Sequence, residues 1–232
     1  MSNTKNTKPC IKIKLTETKP SIFESKAGGL GYIPHDADFP KDSKGNQLRL
    51  LAQIDCSEVK LDEFPERGLL QFWILNDDVI GLDFDNQTNQ DTFRIIYYSE
   101  VDKSVTEEEV SSKFVKNEFD NESDLPVEGE FSMEFTDIID DIYYDDEDCE
   151  DDENDNFGHK AGGFPAFTQN DPREYMKNGN NYDFLLFQLD SDCSSEGDKV
   201  LWGDCGIGNF FINSEKLKNL DFSDVLYNWD CC

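Results

Sequence analysis

The apolar positions of this chain fall in short runs rather than helical stripes. Leu48 to Asp55 reads LRLLAQID and Asp183 to Asp190 reads DFLLFQLD, each an apolar run closed by a polar residue and an acid. Runs of that length read as buried strands that leave a sheet at Asp55 or Asp190. Gly68 to Ile74 (GLLQFWI) and Gly206 to Ile212 (GIGNFFI) are rich in aromatic and branched residues and read as partner strands. Val79 to Asp85 and Asp91 to Val101 add further strand candidates. Helix is the minority element. Thr106 with Glu109 forms a capping box, Val105 and Val110 stand where a hydrophobic staple would place them, and three successive acids suit the helix dipole. SEVKLDEF after Asp55 and SEKLKNL after Asn213 open on serines that could cap short helices.

The strand runs recur in order. KAGG stands at Lys26 and again at Lys160, the QID and QLD runs follow, and the aromatic strand closes each copy, with Phe64 aligned to Trp202. Three collinear blocks argue for an internal duplication. Gly28, Gly29, Gly162 and Gly163 are then turn or close-packing positions that tolerate no side chain, and Lys26 and Lys160 mark the repeats. The predicted fold is α+β: a mainly β core of two duplicated strand-rich halves about a pseudo-twofold axis, with a few short helices. The expected organisation is an N-terminal extension with one strand candidate over 1–24 and a single domain over 25–232. Within that domain repeat one spans about 26–74, linking strands and a helix 75–136, an acidic insertion 137–157, repeat two about 160–212, and a C-terminal helix and tail 213–232.

Composition narrows the setting. The chain has 232 residues, enough for one substantial core, and 18 Phe mark it as folded. No run approaches the roughly 18 apolar residues of a membrane helix. The polar N-terminus lacks an apolar signal region, and seven Cys without a C-x-x-C pair suit reduced thiols, so a cytoplasmic location is expected. The net charge of −30 opposes nucleic acid and anionic membranes and leaves basic proteins and cations as partners. Oligomeric state stays open.

The acid is concentrated between Asp137 and Asp155, twelve carboxylates with no Lys or Arg. Such a block reads as a solvated insertion. Asp145, Asp146, Glu147, Asp148, Glu150, Asp151, Asp152 and Glu153 are the candidate surface for a basic partner, or for weak Ca or Mg binding. An EF-hand fails on spacing, because Asn156 or Phe157 stands where the loop needs Gly. No cofactor is expected.

Together SKAGGLGYIP, LRLLAQIDCSEV, FPERGLLQFWI, GLDFDNQTNQDTFRIIYYSEV, HKAGGFPAFTQNDPR, LLFQLDSD, WGDCGIGNFFI and LKNLDFSDVLYNWDC resemble the YwqG-like family of bacterial proteins, from about Ser25 onward. The resemblance implies one α+β domain with a duplicated β core and carries no established activity. By association it suggests an immunity or toxin-binding role.

Candidate chemistry is sparse. His35 and His159 are the only histidines, with Cys56, Cys193 and Cys205 as thiols near strand ends, and no G-x-S-x-G or phosphate-loop motif is present. Free cysteines more often pack than react. Asp55 and Asp190 end matched strands, so a twofold axis could bring them together, with Gln53, Gln188, Trp202 and Asp204 lining the same cleft. Paired carboxylates would support hydrolysis or hold a hard cation, although strand-end acids commonly cap turns. Three functions follow: a non-catalytic binding module with an acidic surface for a basic partner, a small-ligand or divalent-cation module using the cleft between the repeats, and a hydrolase built on Asp55 and Asp190.

Overall fold

Strand β1 (Lys5–Thr16) and strand β6 (Glu130–Tyr143) pair antiparallel along twelve residues at the centre of the structure, a computed structural model that describes residues 5–121, 124–143, 156–192 and 197–232. The alternation in β1 explains its place: Ile11, Ile13 and Leu15 are buried, whereas Lys12 and Lys14 face solvent. Opposite charges stand across the pair, Lys8 facing Asp140 and Lys14 facing Glu134.

The other strands extend this centre on both sides. They are β2 (Lys26–Gly28), β3 (Arg49–Asp55), β4 (Leu69–Ile74), β5 (Phe93–Tyr98), β7 (Lys160–Gly162), β8 (Phe184–Asp190), β9 (Ile207–Ile212) and β10 (Val225–Asp230). Their order is β10-β9-β8-β7-β1-β6-β2-β3-β4-β5, a palindrome about the β1–β6 pair, and every neighbour is antiparallel. The two first strands are exchanged between halves: β1 lies beside β7 of the second repeat, and β6 lies beside β2 of the first. Even the irregularities repeat, since β3 bulges between Leu50 and Ala52 and β8 between Leu185 and Phe187.

Burial curls the sheet onto itself. Phe72 of β4 meets Phe187 of β8 and Phe210 of β9 at ring separations of 4.7 and 5.0 Å, and Phe93 of β5 meets Tyr227 of β10 at 5.2 Å. The segment between β4 and β5 seals the gap: Tyr227 donates its hydroxyl to the Ile80 carbonyl (2.8 Å) and its N–H to the Gln87 carbonyl (2.9 Å). The ten strands therefore form a nearly closed, barrel-like sheet around one apolar cluster fed by both halves.

The fold is thus mainly β, which corrects the α+β expectation. The helical signals mark real starts, but the helices are short: α1 (Glu107–Ser112) has six residues and α2 (Ser214–Lys218) has five. Capping motifs say where a helix begins, whereas its length depends on an apolar face that neither segment extends. Thr106 caps α1 by accepting from the Glu109 N–H, and Val105 and Val110 are both buried. Elsewhere the capping residue is not the serine: Asp55 caps the 3₁₀ turn Cys56–Glu58, and Asn213 caps α2. Val79 to Asp85 forms turns rather than a strand, and residues 137–143 of the expected acidic insertion belong to β6. Asp145 to Glu153 lie outside the described residues.

The four repeat-marker glycines share one backbone state, with φ of +69° and +68° at Gly28 and Gly29 and +70° at Gly162 and Gly163. That left-handed region favours glycine, and a methyl group on Gly28 would also overlap the backbone carbonyl of Gly129. Gly28→Ala is expected to lower stability in urea denaturation by about 3 kcal/mol or more. Gly45→Ala is expected to cost only about 1 to 2 kcal/mol, because Gly45 shares a positive φ but has nothing within 4 Å.

Candidate functional site

Two lysine side chains lie inside the protein, each beside a pair of left-handed glycines. The Lys26 ammonium donates to Glu130 Oε1 (2.6 Å) and to the Leu30 carbonyl (2.9 Å), and that of Lys160 donates to Asp140 Oδ2 (2.9 Å). Both carboxylates come from β6. Burial pushes the Lys26 pKa below its ordinary value, and the bond to Glu130 opposes the shift.

The two ion pairs are not symmetric copies. Lys26 stands opposite Ser132, and Lys160 stands opposite Lys12, so β1 and β6 correspond with a shift of 120 positions. Glu130 therefore has Cys10 as its counterpart, a thiol that burial pushes up to about 11 and that cannot balance a cation. Asp140 supplies the missing charge from farther along β6.

The polar residues of matched strands tie each half to itself. Gln53 donates to the Ile22 and Glu24 carbonyls and accepts from the Tyr32 N–H, while Gln188 donates to the Asn156 and Gly158 carbonyls and accepts from the Ala166 N–H. Gln71 and Asn209 then donate to the Tyr32 and Ala166 carbonyls. One divergence leaves a trace. Trp73 donates to Gln71 Oε1, but its counterpart Phe211 has no donor, and Asn209 Oδ1 is buried without a partner.

The two strand-end acids are engaged within their own halves. Asp55 accepts from the Ser57 N–H and hydroxyl, and Asp190 accepts from the Gly158 N–H (2.6 Å). Behind them the backbone N–H of Asp55 donates to Ser25 Oγ (2.8 Å) and that of Asp190 to His159 Nδ1 (3.1 Å). Burial lowers the His159 pKa to about 4, so its ring is a neutral acceptor at pH 7. Trp202 is fully buried and stacked on Trp229 at 5.9 Å, and Asp204 is exposed on the turn beyond it.

Burial pushes the Cys56 thiol up to about 12, Cys205 is exposed, and Cys193 lies outside the described residues. His35 sits 2.8 Å from a Glu109 oxygen and 3.0 Å from Ser104 Oγ, but the Ser104 hydroxyl is given to Asp102 (2.7 Å). This exposed cluster ties the loop at His35 to the start of α1. Among the described residues no group of three or more His, Cys, Asp or Glu is arranged to hold a metal.

Open space occurs at two junctions of the halves. One cleft, about 450 Å³, is walled by Lys8 and Pro9 of β1, Lys60 to Glu63, the second glycine pair, Asp183 to Leu185, and Ser214. The other, about 460 Å³, is walled by Asp78, Ile80, Asp124 to Pro126, Glu128, Asp198, Lys199, Leu201, Gly203 and Trp229. The repeat symmetry relates part of their walls. A shift of 120 carries Lys8 to Glu128, and the shift of 138 that aligns Phe64 with Trp202 carries Lys60 to Asp198 and Glu63 to Leu201. At the first two positions the charge is reversed, so the clefts share an architecture and differ in electrostatics. The reversal at Lys60 and Asp198 is readable from the aligned repeats. That at Lys8 and Glu128 emerges only from the sheet register, because β1 and β6 share no matching sequence.

A family model described as Domain of unknown function (DUF1963) matches residues 25–231. A search of curated proteins returns no match. No helix among the described residues is long and apolar enough to cross a membrane.

Asp140→Asn leaves the Lys160 ammonium buried without a counterion and is expected to cost about 3 to 5 kcal/mol in denaturant unfolding. The exposed Asp62→Asn is expected to change stability by less than about 0.5 kcal/mol. For His159 the folded pKa of about 4 lies below the unfolded 6.5, so the unfolded state binds more protons between those values. Its contribution is present above pH 6.5 and lost as pH falls toward 4, an amount on the order of 3 kcal/mol. Unfolding measured across pH 4 to 6.5 is expected to show a shallower decline in His159→Asn, whose amide oxygen keeps the acceptor without the titration.

Proposed function

The chain belongs to the DUF1963 family, whose description assigns no activity, and from that premise we propose that the protein is a non-catalytic binding module whose acidic cleft and surface engage a basic protein partner. The observation that carries this reading is the cleft at Trp229. Asp78, Asp124, Glu128 and Asp198 line it, with Lys199 as its one basic residue among the described residues, in a chain of net charge −30. An aromatic wall among carboxylates suits a Lys or Arg side chain, through ion pairing at the rim and cation–π contact at the base. Support also comes from the interior, where the candidate polar groups Gln53, Gln188, Asp55 and Asp190 are spent on holding loops to strands. In the narrower form suggested by the YwqG-like resemblance, the basic partner is a toxin that this protein neutralises.

Binding of a Lys- and Arg-rich peptide by isothermal titration calorimetry tests the reading. Affinity is expected to fall steeply as salt rises from about 0.05 to 0.3 M, where exposed charge attraction is screened. Asp124→Asn with Glu128→Gln is expected to weaken binding about tenfold or more, whereas Asp36→Asn with Asp38→Asn, which removes the same charge from an exposed loop, changes it by less than about threefold. Equal losses in the two double variants would mean that the cleft has no particular role.

A further inference from the structure

Lys8 stands at the wall of the other cleft, in the second half of the sheet, and its position there is unusual for a cation in so acidic a chain. It is half-buried, with its ammonium 4.9 Å from the centre of the Phe164 ring. The two carboxylates that act on it are committed elsewhere. Asp140 holds Lys160 and the Phe164 N–H, and Asp183 accepts from the N–H and hydroxyl of Ser214. Among the described residues the Lys8 ammonium forms no ion pair or hydrogen bond. Burial and the charge of Arg173 lower its pKa, against the opposing pull of Asp183 and Asp140. A partly desolvated cation without a counterion gains by pairing with an incoming anion.

The segment Lys60 to Glu63, from the other half of the sheet, brings one further cation and two acids to the same cleft. Asp62 and Glu63 line the same space, and their carboxylates have no ion-pair or hydrogen-bond partner among the described residues. The same cleft also presents Leu61, Phe184 and Leu185 as apolar wall. A ligand carrying both an anionic and a cationic group on an apolar body matches this lining, whereas a simple polyanion would meet Asp62, Glu63, Asp183 and the field of the whole chain. The volume of about 450 Å³ falls within the range of small-molecule sites. We infer that this cleft binds a zwitterion, an apolar amino acid or short peptide, with its carboxylate on Lys8, its ammonium on Glu63 and Asp62, and its side chains against Leu61, Phe184 and Leu185.

The site goes beyond the acidic-cleft reading and stands without it, since the two clefts use different residues. The internal duplication supplies the control, because Glu128 occupies the position of Lys8 in the other cleft.

The test is calorimetric titration of the full chain with the dipeptide Leu-Leu, its C-terminal amide and its N-acetyl form. Leu-Leu is expected to bind, and each capped form is expected to bind about tenfold more weakly or worse, since each loses one charged contact. Lys8→Gln is expected to reduce Leu-Leu binding by a similar factor, whereas Glu128→Gln leaves it unchanged. No binding of Leu-Leu at millimolar concentration, or equal binding of the capped and uncapped forms to the wild-type chain, would overturn the proposal. So would equal binding by wild type and a Lys8→Gln variant whose thermal unfolding matches it. A loss of basic-peptide binding in the Asp124 and Glu128 variants alone would bear on the acidic cleft and leave this site standing.

Discussion

Burying a lysine ammonium is among the costlier things a small protein does, and this structure does it twice at the centre of its sheet. Each charge must be met by a carboxylate, and strand β6 supplies both, Glu130 for Lys26 and Asp140 for Lys160. That demand couples the elements. The left-handed glycines beside each lysine let the chain turn tightly against β6 and β1, and β6 must extend past its symmetric counterpart to place Asp140 where Cys10 cannot act. The exchange of first strands follows from the same arrangement, since β6 serves the first repeat through β2 and the second through Asp140.

The duplicated framework gives two clefts whose walls correspond at several positions and leaves the chain to vary them. Paired hydrogen bonds around Gln53 and Gln188 hold the loops of each half to its strands in matching fashion. Once those bonds are made, rim positions are released from structural duty, and the substitutions collect there: Lys8 against Glu128 and Lys60 against Asp198. One fold thereby presents an acidic aromatic cleft and a mixed-charge apolar one. The partial loss of a partner at Asn209 shows the same drift reaching inward, where its cost is an unsatisfied oxygen.

Much of this was legible in the chain because local chemistry dictates it. KAGG, the apolar runs ending at Asp55 and Asp190, and the aromatic strands lie at near-constant separations, and the structure makes strands of them, with a matching bulge in β3 and β8. The class is less legible, because capping signals at Thr106 and Ser214 advertise helices without revealing that they stop within two turns. Strand β6 was hidden for a different reason. Its alternation runs on into the acidic block, so Asp137 and Asp140 read as part of a solvated charge run although Asp140 is buried against Lys160. The pairing of β1 with β6 depends on residues more than a hundred positions apart, and no local pattern encodes it. The clefts were only half visible for the same reason.

The position of β1 also governs how the chain can be made. It leaves the ribosome before the other nine strands, yet the strand that completes its pairing emerges some 120 residues later, roughly ten seconds at ordinary synthesis rates. Through that interval the first repeat has its β2 edge uncovered, waiting for β6, and the β1 lysines have no acids opposite them. Closure of the sheet is therefore a late and strongly non-local event, and the nascent half must stay soluble without it.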